Sequence, residues 1–334
     1  MRFVPMLLVV LMLGCGHEDP WSAAPRDPLG PRTTTLPRRL TFNQGDDRAP
    51  SLWNTGGQIA FARYDPVENA KPCIAYLPAD GGTLADMHCP PPRSAADTFE
   101  TTWGSPVLSA DGRQVAFLWQ RAGSAAELAA WTSELVIAPS ASPRTPTTRV
   151  NLQRFFPEGF ATSMIEPVWQ DAGTIRLLAA YDSIWKVKGG GAERFTDTAL
   201  VARRLVDVDI ATGTVTPVPG SDSGIAWAPA AAGGFWIVRP GARLFSVTNG
   251  VAVERAAFAG PVADIAEVAD RVVGAWGDTL VEWVDPVSGT SGQIAMPGPV
   301  SRVAPAGGRR FVAEVERGMV LFGAPANLWL FEVP

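Results

Sequence analysis

Residues Pro106–Phe117 have the sequence P-V-L-S-A-D-G-R-Q-V-A-F, and two other stretches of the chain repeat its pattern. The other copies are Pro50–Phe61 (P-S-L-W-N-T-G-G-Q-I-A-F) and Pro167–Leu178 (P-V-W-Q-D-A-G-T-I-R-L-L). In each copy a glycine follows the proline by six or seven positions, and an apolar residue follows it by eleven. Such a repeat indicates an array of similar structural units within one domain.

Each copy predicts a β-hairpin. Its middle contains Gly together with Asp or Asn, which favour the positive φ angles of tight turns. The residues after the turn, Gln58–Phe61 in the first copy and Gln114–Leu118 in the second, are almost continuously apolar. A strand that is apolar on both faces must be covered on both faces, and radially stacked sheets provide that cover.

Three weaker copies follow, at Ile225–Val238, Pro261–Val273 and Pro299–Val312. The six starts therefore divide the body of the chain into six units. The pattern P-x-W/L-S-x-D-G-x-x-V/I-A-F resembles the WD40-like (PD40) repeat of TolB-like β-propellers. This resemblance implies an all-β fold and a six-bladed β-propeller, with five or seven blades as the alternatives.

The N-terminus has the features of an export signal. Arg2 precedes the apolar run Phe3–Leu13, which is too short to span a bilayer, and Gly14 then precedes Cys15. This arrangement resembles the lipobox of bacterial lipoproteins and predicts residues 1–15 to be a signal peptide ending at a lipidated Cys15. An ordinary signal peptide is the alternative. Gly16 favours the outer membrane, with the protein facing the periplasm or the cell surface.

The rest of the chain is predicted to form a tether and one domain. Residues 16–37 contain five prolines and few large apolar residues, as expected for an extended tether, and residues 38–334 form the propeller. We expect Arg38–Phe42 to pair with Leu328–Val333 and close the ring, the alternative being a frayed strand. A net charge of −5 without a basic cluster argues against a nucleic-acid partner.

Two cysteines of the predicted domain, Cys73 and Cys89, are expected to form a disulfide, because an exported protein folds in an oxidising compartment. The alternative is a metal site made by these cysteines and His88. Their spacing does not match a zinc motif, so we predict no metal site.

The small number of histidines limits the kinds of catalytic site that the chain could form. His17 lies in the tether and His88 lies beside Cys89, so a Ser-His-Asp site is not expected, and we predict neither an enzyme nor a cofactor. Several charged residues are predicted near one mouth of the channel, just before the first strands of the units, and are the candidate binding residues: Asp46, Asp47, Arg48, Glu100, Glu166 and Asp222. The alternative role of these acids is to bond turn backbone.

Tryptophans and extra segments offer further candidates. Trp53, Trp169 and Trp227 occupy similar places in their units and are expected to pack between blades. Three others are predicted at loop edges, either as exposed stacking platforms or as core residues: Trp103, Trp131 and Trp185. Three long segments are predicted as loops: Pro139–Pro146, Phe155–Ser163 and Tyr181–Thr198.

These observations together predict a monomeric, lipid-anchored protein of the cell envelope. Its propeller is expected to bind an envelope protein or a small ligand at one mouth of the ring. The alternative is a carbohydrate-active envelope enzyme that uses carboxylates at the channel mouth.

Overall fold

β-Strands form the regular structure of the chain, and the described residues contain no α-helix. The structure is a computed structural model that describes residues 35–43, 45–52, 57–64, 71–91, 100–122, 132–152, 160–189, 192–317 and 325–334. In these residues no helix has the length and apolar character needed to cross a membrane. The strands are, in chain order, β1 (Arg38–Arg39), β2 (Asp46–Leu52), β3 (Gln58–Tyr64), β4 (Cys73–Pro78), β5 (Asp86–His88), β6 (Glu100–Leu108), β7 (Gln114–Ala122), β8 (Thr132–Pro139), β9 (Thr148–Asn151), β10 (Phe160–Trp169), β11 (Thr174–Gly189), β12 (Ala192–Asp209), β13 (Val215–Pro217), β14 (Ala226–Pro229), β15 (Phe235–Arg239), β16 (Arg243–Thr248), β17 (Val251–Ala257), β18 (Asp264–Val268), β19 (Arg271–Ala275), β20 (Asp278–Val284), β21 (Ser291–Pro305), β22 (Arg310–Glu316) and β23 (Ala326–Glu332).

The strands pair with their neighbours in the sequence to give antiparallel sheets. The strands β2–β5, β6–β9, β10–β13 and β14–β17 each form a four-stranded sheet in chain order. The remaining strands form one seven-stranded sheet in the order β18-β19-β20-β21-β22-β23-β1. The long strand β21 joins two parts of this sheet, because its residues up to Val300 pair with β20 and those from Val300 onward pair with β22.

The core is divided into clusters that lie between successive groups of strands. Buried side chains of β3–β4 pack on β6–β8, those of β6–β8 on β11–β12, and those of β11–β12 on β14–β16. Further clusters join β14–β16 to β18–β20, β18–β20 to β22–β23, and β22–β23 to β3–β4. The apolar faces of the last strands are thus covered by the first sheet.

Strand β7 illustrates why the sequence is apolar at consecutive positions. Phe117 points into the cluster shared with β3–β4, whereas the next residue, Leu118, points into the cluster shared with β11–β12. Both are almost fully buried, as alternation of side chains along a strand requires when both faces are covered. Trp103 is also buried, at 3% exposure, and packs on Phe117 with 5.0 Å between ring centroids, so it is a core residue and the alternative of an exposed platform is wrong.

The N-terminal strand pairs with the C-terminal strand. Arg38 is opposite Leu330 in the ladder between β1 and β23, and Arg39 is opposite Trp329. The strand is shorter than the predicted Arg38–Phe42, because the N–H groups of Leu40 and Thr41 both donate to the carbonyl of Leu328, at 2.7 and 3.4 Å, and the ladder ends there.

The segment predicted as the loop Tyr181–Thr198 instead belongs to two paired strands, with two shifts of register along the ladder. Strands β11 and β12 pair from Thr174, opposite Asp209, to Gly189, opposite Ala192. Extended β-formers such as Ile184 and Val187 allow the ladder to continue. The predicted loop Phe155–Ser163 also overlaps a strand, since β10 begins at Phe160.

The predicted disulfide is confirmed, because Cys73 and Cys89 are covalently joined, with 4.1 Å between their Cα atoms. Two sulfurs bonded to each other are not available as thiolate ligands, so the alternative metal site is wrong. His88 instead lies 2.9 Å from the carboxylate of Asp86. The bond fastens β4 to the end of the segment that contains β5.

Replacing both cysteines with alanine is expected to lower the free energy of unfolding by about 3 kcal/mol, since the bond closes a loop of about 15 residues in the unfolded chain. Urea denaturation of the oxidised wild type and the double variant measures the difference. The wild type unfolded in the presence of a reductant is the control and should behave like the variant. Equal midpoints for the oxidised and reduced wild type would contradict the prediction.

Several tight turns are organised by an aspartate. The pKa of Asp111 is lowered because its carboxylate accepts a hydrogen bond from Oγ of Ser109 and another from the N–H of Arg113. Similar bonds within their own turns lower the pKa values of Asp209 and Asp285. The charged form of each carboxylate therefore favours the folded turn.

The Asp111→Asn variant is expected to have a lower Tm than the wild type at pH 7 and a smaller deficit near pH 2. The folded pKa lies below the ordinary value of 3.8, so the stabilisation is present above the unfolded pKa and is lost as the pH falls through the folded pKa. Thermal denaturation of both proteins across this range tests the prediction. A deficit that is the same at both pH values would contradict it.

Candidate functional site

An irregularity recurs in four of the strands that contain a predicted unit start. The strand pairing shifts by a bulge near the middle of β2, β6, β10 and β21. In β2 and β6 the bulge contains a residue with positive φ, Ala49 at 52° and Ser105 at 47°, directly before Pro50 and Pro106. A proline has no N–H for the ladder, so a bulge accommodates it without wasting a hydrogen bond.

The four strands with these bulges, together with β14 and β18, surround a cavity of about 170 Å³. We call it the inter-strand cavity. It is lined by residues from β2, β6, β10, β14, β18 and the second half of β21, that is, by strand segments from every sheet of the described structure. The main lining segments are 49–51, 105–108, 167–169, 227–229, 265–267 and 303–305.

The walls of the cavity are mostly apolar. Five prolines and several small aliphatic residues line it, together with Trp169 and Trp227, whose side chains also pack in the core clusters between neighbouring sheets. Nε1 of Trp169 donates to the carbonyl of Val107 at 3.2 Å, which holds the indole in place. Nearby, Oγ of Ser51 donates to the carbonyl of Pro106 at 2.5 Å. Both bonds link strands of different sheets at the cavity wall.

Glu267 is the one charged residue among those that line the cavity. It lies on β18, opposite Val272 of β19, and its side chain is half-buried. The carboxylate accepts a hydrogen bond through Oε2 from the backbone N–H of Ala231, in the turn between β14 and β15. The cavity therefore combines an apolar wall with a carboxylate whose position is fixed by the neighbouring sheet.

The predicted candidates Asp47 and Arg48 lie in an ion-pair network beside the last strands, not in the cavity wall. Asp47 is fully buried, 3.3 Å from Nε of Arg63, and accepts a bond of 3.1 Å from Asn43. Arg48 forms ion pairs with Glu314, Asp46 and Glu316. Burial alone would lower the pKa of Arg48, but the coulombic attraction of these carboxylates outweighs it and raises the pKa.

The other candidate residues are dispersed. Asp222 is exposed in the turn before β14 and is absent from the cavity wall. Glu100 is the first residue of β6 and Glu166 lies in β10, but their side chains lie outside the described residues. Cys15, the tether up to residue 34, Trp53 and Trp131 also lie outside them, as does the side chain of Trp185.

The prediction from sequence missed Glu267. It lies in a weak copy, but the sequence contains a signal: the lining segments Trp227-Ala228-Pro229 and Val303-Ala304-Pro305 share a pattern with Ile265-Ala266-Glu267. The carboxylate occupies the position that a proline occupies in the other two segments. Among the described residues, no group of three or more His, Cys, Asp or Glu side chains could hold a metal ion.

Comparison with known proteins identifies the fold but not a family. No family model matches the chain, and no curated protein matches it. Among solved structures, it is similar to the β-propeller domain of Cps50 (Swd1) from Myceliophteria thermophila, with 11% identity and a TM-score of 0.51 over 91% of this chain and all of that one.

Two further similar structures are an enzyme and a calcium-binding protein. One is a luciferin-regenerating enzyme, with 10% identity and a TM-score of 0.52 over 92% of this chain and 94% of that one. The other is the calcium-binding protein regucalcin from Agrobacterium tumefaciens, with 14% identity and a TM-score of 0.50 over 86% of this chain and 92% of that one. At these identities the likeness shows the fold alone, so the chain has a β-propeller-type, all-β fold.

Proposed function

We propose that this propeller-type chain is a lipoprotein of the cell envelope, anchored through Cys15, whose ring serves as a binding scaffold for an envelope protein or a small ligand. The observation that carries the proposal is the inter-strand cavity, on which strand segments from all the sheets converge. Convergent apolar cavities of this kind are the usual binding sites of globular proteins.

We further propose that the ring has six blades and is closed by the N-terminal strand. The blades would be the four four-stranded sheets, β18–β20 with the first half of β21, and the second half of β21 with β22, β23 and β1. The clusters between successive groups support this count, because the last one joins β22–β23 back to β3–β4. Pairing of β1 with β23 supports closure. The resemblance to TolB-like repeats agrees with six blades.

We propose binding and not catalysis because the described candidate carboxylates do not come together at the cavity. Asp46 pairs with Arg48, Asp47 is buried against Arg63, and Asp222 is exposed in a turn outside the cavity wall. A buried carboxylate that is already paired is a poor acid or base, since transferring its proton breaks the pair. A carbohydrate-active site built from these groups therefore has no support in their geometry.

The anchor is tested with the full chain and its Cys15→Ala variant, labelled in cells with radioactive palmitate and separated into membrane and soluble fractions. We expect label and membrane association in the wild type only, with the outer membrane as the site, because two or more acyl chains hold a protein stably on a bilayer. A Cys15→Ala variant that stays on the membrane as the wild type does would overturn the anchoring proposal.

The scaffold function is tested by purification of complexes from detergent-solubilised membranes, identified by mass spectrometry. Pro229 lines the cavity and is exposed, so Pro229→Arg places a charge at its entrance. Val287, which is 94% exposed in a distant turn, provides the matched control Val287→Arg. A protein partner that is retained by the control and lost from Pro229→Arg would support the proposal. A partner that binds both variants equally would place binding elsewhere and contradict it.

A further inference from the structure

The inter-strand cavity has one charged group in an apolar wall, and this composition points to a class of ligand. We propose that the cavity binds a small organic cation, an ammonium group on a compact apolar body, with Glu267 as its counter-ion. The inference deepens the proposed function, since it rests on the cavity being the binding site of the ring.

The size of the cavity limits the body of the ligand. A cavity of about 150 Å³ is large enough for benzene, so a volume of about 170 Å³ fits a ligand of roughly eight non-hydrogen atoms. The wall favours an apolar body because, apart from Glu267, proline, aliphatic and other uncharged residues line it.

The geometry of Glu267 leaves acceptor capacity for the ligand. An ionised carboxylate has about four lone-pair sites, and the N–H of Ala231 occupies one of them, on Oε2. Among the described residues Glu267 forms no ion pair, although its side chain is half-buried in an apolar surround. An ammonium group entering the cavity would pair its charge with the carboxylate of Glu267, whereas an anion would meet a like charge there.

Benzylammonium is the probe, and benzyl alcohol and benzoate are its neutral and anionic counterparts of similar size. Isothermal titration calorimetry of the purified full-length protein in detergent is expected to detect binding of benzylammonium. Benzyl alcohol should bind about tenfold more weakly or worse, and benzoate should give no signal, because a hydrogen bond to a charged partner contributes about 1.5 kcal/mol or more.

Two variants separate the role of Glu267 from a general effect of charge. Glu267→Gln keeps the shape of the side chain and an acceptor for the N–H of Ala231. It should lower the affinity for benzylammonium by about tenfold and leave the affinity for benzyl alcohol unchanged. Glu282→Gln is the matched control, because Glu282 also accepts a backbone N–H, that of Ala259, but does not line the cavity. It should bind like the wild type. Equal affinity of Glu267→Gln and wild type for benzylammonium, or of the wild type for all three probes, would overturn the inference.

The outcomes for this inference and for the proposed function are distinguishable. If no probe binds while Pro229→Arg still loses a protein partner, the cation inference is wrong and the scaffold function stands. If benzylammonium binds through Glu267 and no protein partner depends on Pro229, the ligand-binding form of the function is supported and the protein-binding form is not.

Discussion

Replacing Glu314 with alanine is expected to lower the free energy of unfolding by about 4 kcal/mol, because the N–H of Ala49 and the hydroxyl of Ser301 lose a charged acceptor and Arg48 loses one of its three carboxylate partners. The Glu314 side chain is 2% exposed. Its Oε1 accepts from Nη1 of Arg48 at 3.0 Å and from Oγ of Ser301 at 2.7 Å, and its Oε2 accepts from the N–H of Ala49 at 2.7 Å. Urea denaturation followed by tryptophan fluorescence measures the loss.

An exposed ion pair provides the control. Glu254 pairs with Arg243 across β16 and β17, and both side chains are well exposed to solvent. Glu254→Ala is expected to leave the urea midpoint close to that of the wild type, because solvent screens exposed pairs. If Glu314→Ala and Glu254→Ala had the same midpoint, the contact of β22 with β2 would contribute nothing to stability and the argument would fail.

The bulge of β2 explains why one carboxylate has so many partners. A bulge releases backbone groups from the ladder, and in β2 the released N–H of Ala49 is satisfied from β22 by Glu314. Pro50 and Ser51, which follow directly, line the cavity. Glu314 therefore connects β22 to β2 at the point where the cavity wall begins.

Local features of the fold could be predicted from the sequence because neighbouring residues determine them. The turn at 110–113 contains Gly112 with a φ of 69°, and Asp111 bonds the backbone of its own turn, as the repeat pattern indicates. The strands that are apolar on both faces follow from the repeat pattern, the all-β class from the resemblance to TolB-like repeats, and the disulfide from the expected oxidising compartment. The paired strands β11 and β12 do not follow from the sequence in this way, because segment length does not distinguish a loop from a long ladder.

The candidate site could not be predicted to the same degree, because its residues meet across sheets. Arg48 and Glu314 are separated by 266 residues, and only the closeness of β2 and β22 brings them together. The sequence predicts Asp47 and Arg48 at a channel mouth, because they come just before a unit start. In the structure Asp47 pairs with Arg63, and Arg48 pairs with Glu314 where β2 meets β22. Glu267 cannot be recognised from the sequence because its repeat is weak. Its position in the wall of a cavity is visible only when the strands from the other sheets are in place.

Replacing Leu40 with alanine is expected to lower the free energy of unfolding by about 4 kcal/mol, because the substitution leaves a cavity in a closely packed cluster. Leu40 is fully buried and packs among side chains of β3–β4 and β22–β23, the first sheet and the last strands. Its N–H donates to the carbonyl of Leu328 at 2.7 Å. Urea denaturation gives the loss of stability, and hydrogen exchange at the amide of Leu328, which donates to Oγ1 of Thr41, reports locally on the same contact.

The same substitution at an exposed leucine is the control, because it removes the same atoms without leaving a buried cavity. Leu280 of β20 is 42% exposed, and Leu280→Ala is expected to cost less than about 0.5 kcal/mol. A frayed N-terminal segment predicts a small cost at Leu40 as well, since a side chain that is rarely docked leaves no cavity when it is shortened. A large loss of stability in Leu40→Ala, with unchanged cooperativity of unfolding, would mean that residues 38–43 fold together with the sheets. Equal, small losses in both variants would mean that the ion pairs of Arg48, and not the packing of residues 38–43, hold the N-terminal segment against β22 and β23.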